Sequence, residues 1–201
     1  MADKPARPGL WTPANVVTVT RVVLVPFWLW AAELAVPAAG GSGSLSMGLV
    51  TLFFVILSLT DTLDGYLARS RNEVTTFGKF LDPIADKLVV IVALCYLLEH
   101  GDAPAWVLLV IVAREFLVSG LRMVVASEGV VVAASWLGKW KTATTMLAIT
   151  AMLGALALPQ GATQEVVALV GQVLLYVAVF LTAWSGADYF VKAWPTISEG
   201  E

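Results

Sequence analysis

The chain has 201 residues, a length that suits one domain. Hydrophobic residues make up 59% of it and charged residues 13%, against roughly 45–50% and about 25% in ordinary globular domains. This excess excludes a water-soluble fold, because one core cannot absorb so much apolar surface. A net charge of −3 points to no nucleic-acid partner.

Residues 1–14 are polar and read as a cytoplasmic or interfacial segment, with Trp11 as an anchor. An apolar span follows at 15–36. Lys4 and Arg7 ahead of it imitate a cleaved signal peptide. Arg21 interrupts the apolar stretch, however, and five more spans follow, so an uncleaved helix is expected. Those spans fall at 46–69, 79–99, 104–126, 137–158 and 165–190, each near the ~20 residues that a membrane helix needs. Residues 195–201 form a short polar tail. The expected architecture is an all-α integral membrane protein with six transmembrane helices, its membrane domain covering 15–194. Cys95, the one cysteine, lies in an apolar run. It is expected as a small buried residue, and no intrachain disulfide is possible.

Positive charges set the orientation. The connections near 37–46, 99–105 and 158–164 contain no Lys or Arg. The opposite side receives Lys4, Arg7, Arg69, Arg71, Lys79, Arg122, Lys139, Lys141 and Lys192. Both termini are therefore expected in the cytoplasm. Trp28, Trp30 and Trp106 fall near outer helix ends and Trp136, Trp140 and Trp194 near inner ends, as aromatic belts require. His100 is expected to be solvated in an outer turn, and Asp188 to be a structural hydrogen-bonding group.

Ionisable residues inside the spans are the informative ones, since each costs roughly 2.5–3.5 kcal/mol at a helix centre and such groups mark function. At 1.5 Å per residue, Arg21, Asp61, Asp86 and Arg114 lie about 9–12 Å from the cytoplasmic helix ends. Acids and bases from four helices thus share one layer. Asp61 and Asp64 stand at i and i+3, and Asp82 and Asp86 at i and i+4, so each pair occupies one helix face. Gly65 and Ala68 continue the first face with almost no side chain, and Arg69 offers a fork suited to phosphate. Four converging carboxylates repel one another unless cations sit between them, and hard divalent ions with oxygen ligands fit that need. Arg114, Arg122, Lys139 and Lys141 make a basic cavity beside the acidic one, suited to a phosphate monoester dianion. Glu115 is assigned no chemistry beyond pairing with a base.

The pattern Asp61-x2-Asp64-Gly65-x2-Ala68-Arg69-x8-Gly78-x3-Asp82-x3-Asp86 resembles the signature of the CDP-alcohol phosphotransferase family without a departure. Asn15-x2-Thr18-x2-Arg21, Ala113-Arg114-Glu115, Ser135-x2-Gly138-Lys139-x-Lys141 and 185–190 are similar to segments of the branch that uses sn-glycerol 3-phosphate. The resemblance implies six membrane helices, a homodimer and two Mg²⁺ or Mn²⁺ ions on Asp61, Asp64, Asp82 and Asp86. Asp86 would also be the general base. Gly65, Ala68, Arg69, Thr75, Gly78, Asn15 and Thr18 would hold the CDP group, and Arg114, Arg122, Lys139, Lys141 and Arg21 the acceptor phosphate. The implied activity moves a phosphatidyl group from CDP-diacylglycerol to sn-glycerol 3-phosphate at the cytoplasmic face of a bacterial inner membrane. Inositol phosphate or another alcohol is the alternative acceptor. A cation-coupled transporter is the alternative of a different class, although the paired halves with broken helices common in transporters are not evident.

Overall fold

A computed structural model of the chain describes residues 12–71, 75–127 and 136–198. Within them lie six helices and no strand: α1 (Pro13–Leu34), α2 (Leu45–Arg71), α3 (Thr76–Glu99), α4 (Ala105–Ser127), α5 (Trp136–Ala157) and α6 (Ala162–Ser198). Each coincides with an expected span to within a few residues, except that α6 runs on through Pro195 to Ser198. The boundary placed at 194 therefore falls inside a helix. Local chemistry explains the extension, because Lys192 pairs with Asp188 at i and i+4 (2.7 Å) and Ala193 is buried against α4.

The sequence writes several helix ends directly. Thr12 caps α1, its hydroxyl accepting the Asn15 N–H at 3.3 Å, and Pro13 follows at the first helical position. Thr75 caps α3 in the same way. Three short connections turn through Gly40, Gly101 and Gly161, all at positive φ.

The helices do not simply pack in chain order. α1 lies on α2 and α3, α2 on α5, and α6 along α5 and α4. At Gly171 of α6 a Cβ would stand 2.7 Å from Met152 Cγ, so α5 and α6 touch where only hydrogen fits. Close approach through small residues is how helices associate in lipid, where the hydrophobic effect no longer drives them together.

The main core occupies one half of the bundle. Val25 to Ala32 of α1, Met47 to Leu57 of α2, Val89 to Leu97 of α3, Val107 and Ile111 of α4, Ala148 to Leu153 of α5, and Leu175 and Val179 of α6 supply it. All lie toward the end that carries the three glycine turns. A smaller cluster of Val118, Val125, Tyr189 and Ala193 joins α4 to α6 in the other half. That half holds Arg21, Lys87, Arg114, Glu115 and Lys141.

The outer surface is apolar. Leu109, Phe116, Leu117, Met123 and Phe180 are all exposed, far more than a soluble monomer shows. Among the described residues, Asn15–Leu34 and Ala162–Pro195 are long and apolar enough to cross a bilayer, and Leu45–Thr60 is a shorter apolar stretch.

Two single-residue expectations are corrected. Trp28 belongs to the core and not to an aromatic belt: it is 1% exposed, and its Nε1–H donates to the Val50 carbonyl at 3.0 Å. An indole can serve as membrane anchor or core anchor, and here α2 supplies the acceptor that allows burial. Cys95 is exposed, standing on the face of α3 opposite the buried Ala93, Leu94 and Tyr96. Trp30, Trp106, Trp136, Trp140 and Trp194 are exposed as expected. His100 is exposed at the C-cap of α3, with its ring on that of Tyr96.

Candidate active site

Two groups of polar residues lie in the charged half of the bundle. The first ties the start of α1 to the start of α3. Asn15 Nδ2 donates to Thr75 Oγ1 at 2.7 Å, Thr75 Oγ1 lies 3.0 Å from Asn15 Oδ1, and the same hydroxyl accepts the Gly78 N–H at 2.9 Å. Asn15, Thr18 and Thr75 are all buried. Thus three residues expected around the CDP group, Asn15, Thr75 and Gly78, are in direct contact, and Thr18 is buried one turn further along α1.

Gly78 is required by this contact. A Cβ there would sit 2.6 Å from Asn15 Oδ1 and 3.2 Å from Thr75 Oγ1, too close for either short side chain to yield without losing its hydrogen bond. Gly78→Ala is expected to destabilise the protein by about 1–3 kcal/mol, the usual cost of overpacking. Thermal unfolding in detergent would read this as a lowered melting temperature. An unaltered melting temperature would show that the contact is not tight.

The remaining expected CDP and metal positions stand on helical backbone. α2 carries Asp61, Asp64, Gly65, Ala68 and Arg69 in its last turns, and α3 carries Asp82 and Asp86 in its first turns. Their side chains lie outside the described residues.

The second group surrounds a cavity of about 1050 Å³ walled by α2 to α6. Arg114, Arg122, Lys139 and Lys141 all line it, as the sequence led us to expect. Arg21 does not: it is 2% exposed on α1, and no described residue of that helix lines the cavity. Its expected depth is close to that of Arg114, but its place around the bundle differs. The guanidinium of Arg122 lies over the Tyr189 ring at 5.9 Å, and Lys139 Nζ over the Trp136 ring at 5.4 Å.

The pairing with a base expected of Glu115 is found, while its further partners, with Ser119 and Ser185, are not singled out by the sequence. Glu115 pairs with Lys141 and with Arg114 Nη1 (3.2 Å), and stands 3.9 Å from Lys87 Nζ. Lys87 also bonds Ser119 Oγ, and Arg114 Nη2 donates to Ser185 Oγ at 3.2 Å. The available signal was an acid next to an arginine deep in an apolar helix, but its partners are far away in sequence. Ser58 Oγ, Arg114 Nε and Tyr189 OH are buried without a hydrogen-bond partner among the described residues, and all three residues line the cavity. A bound polar ligand or water would complete the hydrogen bonding of these atoms.

The described residues define a helical bundle with a basic cavity, and two of the helices around it, α2 and α3, each carry a pair of aspartates. Residues 11–184 match the family model for CDP-alcohol phosphatidyltransferase, and the chain belongs to that family. Among its relatives, the CDP-diacylglycerol–glycerol-3-phosphate 3-phosphatidyltransferase of Bacillus subtilis is 40% identical over 91% of this chain and 95% of its own. The enzyme of that name from Haemophilus influenzae is 39% identical over 88% of this chain and 90% of its own. A probable phosphatidylglycerophosphate synthase of Mycobacterium tuberculosis is 39% identical over 90% of this chain and 80% of its own.

Enzymes of this family use divalent metal ions. The donor set fits them, since α2 and α3 each carry two aspartates one turn apart and hard dications take carboxylate oxygens.

Proposed function

We propose that this chain transfers the phosphatidyl group of CDP-diacylglycerol to sn-glycerol 3-phosphate, giving phosphatidylglycerophosphate and CMP. The observation that carries the acceptor is the convergence of Arg114, Arg122, Lys139 and Lys141 on one cavity. The names of relatives near 40% identity support the same reaction.

In this reading all six helices span a bacterial inner membrane, both termini and the site face the cytoplasm, and the protein is a homodimer. Asp61, Asp64, Asp82 and Asp86 hold two ions, Mg²⁺ or Mn²⁺. Bound dications supply neutralisation of the pyrophosphate and of the charge that builds up on attacking and leaving oxygens. Gly65 and Ala68 leave room for the nucleotide, while Asn15, Thr18, Thr75 and Gly78 fix the helix ends around it. Arg69 pairs with phosphate. Asp86 takes the proton of the acceptor hydroxyl as that oxygen bonds to the phosphorus bearing diacylglycerol. The bond from that phosphorus to the CMP oxygen breaks, and CMP leaves with the electron pair. Arg114, Arg122, Lys139 and Lys141 hold the acceptor phosphate away from the reacting centre.

Purified protein with CDP-diacylglycerol, Mg²⁺ and a panel of sn-glycerol 3-phosphate, inositol phosphate and serine tests the reading. CMP release with glycerol 3-phosphate alone is expected. Release with serine would remove the purpose of the basic cavity, and release with inositol phosphate would reassign the acceptor. No release with any of them would overturn the proposal.

A further inference from the structure

We infer that Glu115 is a positioning residue for the acceptor, setting the geometry and net charge of the bases that receive its phosphate. This rests on the transferase reading above. One carboxylate ties three helices together: Glu115 of α4 meets Lys141 of α5, Lys87 of α3 and the neighbouring Arg114. Its side chain is 15% exposed and that of Lys141 11%, so the pair is poorly screened by water.

The three bases depend on it unequally. Arg114 is also held by Ser185, and Lys87 by Ser119. For Lys141, Glu115 is the one side-chain partner found among the described residues. Without this carboxylate the Lys141 ammonium would face two other cations across a low-dielectric cavity and swing away from them. The charge balance has a second consequence. Among the described residues, Lys87, Arg114, Arg122, Lys139 and Lys141 line the cavity against this one acid, a positive excess that favours a phosphate monoester dianion, whose second proton leaves at a pKa of about 6. A neutral alcohol offers nothing to offset that excess. Glu115 therefore holds in place the bases that receive an anionic acceptor, Lys141 above all, without itself being one of them.

The test is steady-state kinetics of the full chain with CDP-diacylglycerol and Mg²⁺, alongside thermal unfolding. Glu115→Gln is expected to raise the acceptor KM about ten- to hundredfold, the equivalent of one charge-assisted hydrogen bond misplaced. The KM for CDP-diacylglycerol should stay within about twofold, and kcat at saturating acceptor should be largely kept. In a Lys141→Gln background the same change should add little, because Lys141 is the group being positioned. An unmoved acceptor KM, additive effects in the double variant, or equal rises in both KM values would each overturn the inference. Should Glu115→Gln not fold, Glu115→Asp decides the matter: a raised acceptor KM at a normal melting temperature supports positioning, and an unchanged one refutes it. Wild-type protein without glycerol 3-phosphate-dependent CMP release would remove both this inference and the function beneath it. Wild-type release with an acceptor KM indifferent to Glu115 would remove this inference alone.

Discussion

Asp86→Asn is expected to abolish turnover while leaving cytidine nucleotide binding detectable. The substitution keeps size and hydrogen-bonding reach, but an amide cannot take up the hydroxyl proton. General base catalysis typically contributes about 10²–10⁴-fold. Asp86 is also proposed to ligate metal, so the loss should reach or exceed the upper figure. CMP release in vesicles gives the rate, and calorimetric titration with CMP gives the binding. Turnover within an order of magnitude of wild type would strip Asp86 of its role. Complete loss of nucleotide binding would make it a ligand-holding group first and a base second.

Removal of divalent ions should be as severe. Chelation by EDTA is expected to end CMP release, with Mg²⁺ or Mn²⁺ restoring it and Na⁺ or K⁺ not. The physical cause is the pairing of Asp61 with Asp64 on α2 and of Asp82 with Asp86 on α3. Carboxylates at membrane depth are costly, and a dication bound to the folded state recovers part of that cost. The same coupling predicts a structural signature independent of activity. Adding Mg²⁺ at 100 times its dissociation constant should stabilise the fold by about 2.7 kcal/mol, since ligands that bind only the native state shift unfolding by mass action. Full activity in EDTA, or a melting temperature indifferent to Mg²⁺, would contradict a metal site at these aspartates.

The helices were legible because a bilayer-spanning stretch needs a long apolar run, and this signal is hard to mistake. The polar end of α6 was less so. Lys192, Trp194 and Pro195 look like an interfacial exit, yet the Asp188–Lys192 pair and the burial of Ala193 carry the helix onward. Residue spacing gave an expected depth for Arg21, Asp61, Asp86 and Arg114, and residue type grouped Arg114, Arg122, Lys139 and Lys141, which do line one cavity. Position around the bundle could not be read that way. Arg21 was expected at a depth near that of Arg114 but stands on a helix none of whose described residues lines the cavity, and Trp28 turns inward where an outward belt position was expected. Glu115 shows the same limit. Its partners come from α3 and α5, so only the assembled bundle reveals one acid serving three bases.

The uneven distribution of packing along the bundle separates rigidity from access. In the core half the Trp28 ring lies 5.9 Å from that of Phe54 and 6.0 Å from that of Tyr96, so three helices interlock through one indole. None of these three residues lines the basic cavity. Side chains around the cavity can therefore rearrange over a ligand while the aromatic layer keeps α1, α2 and α3 in register.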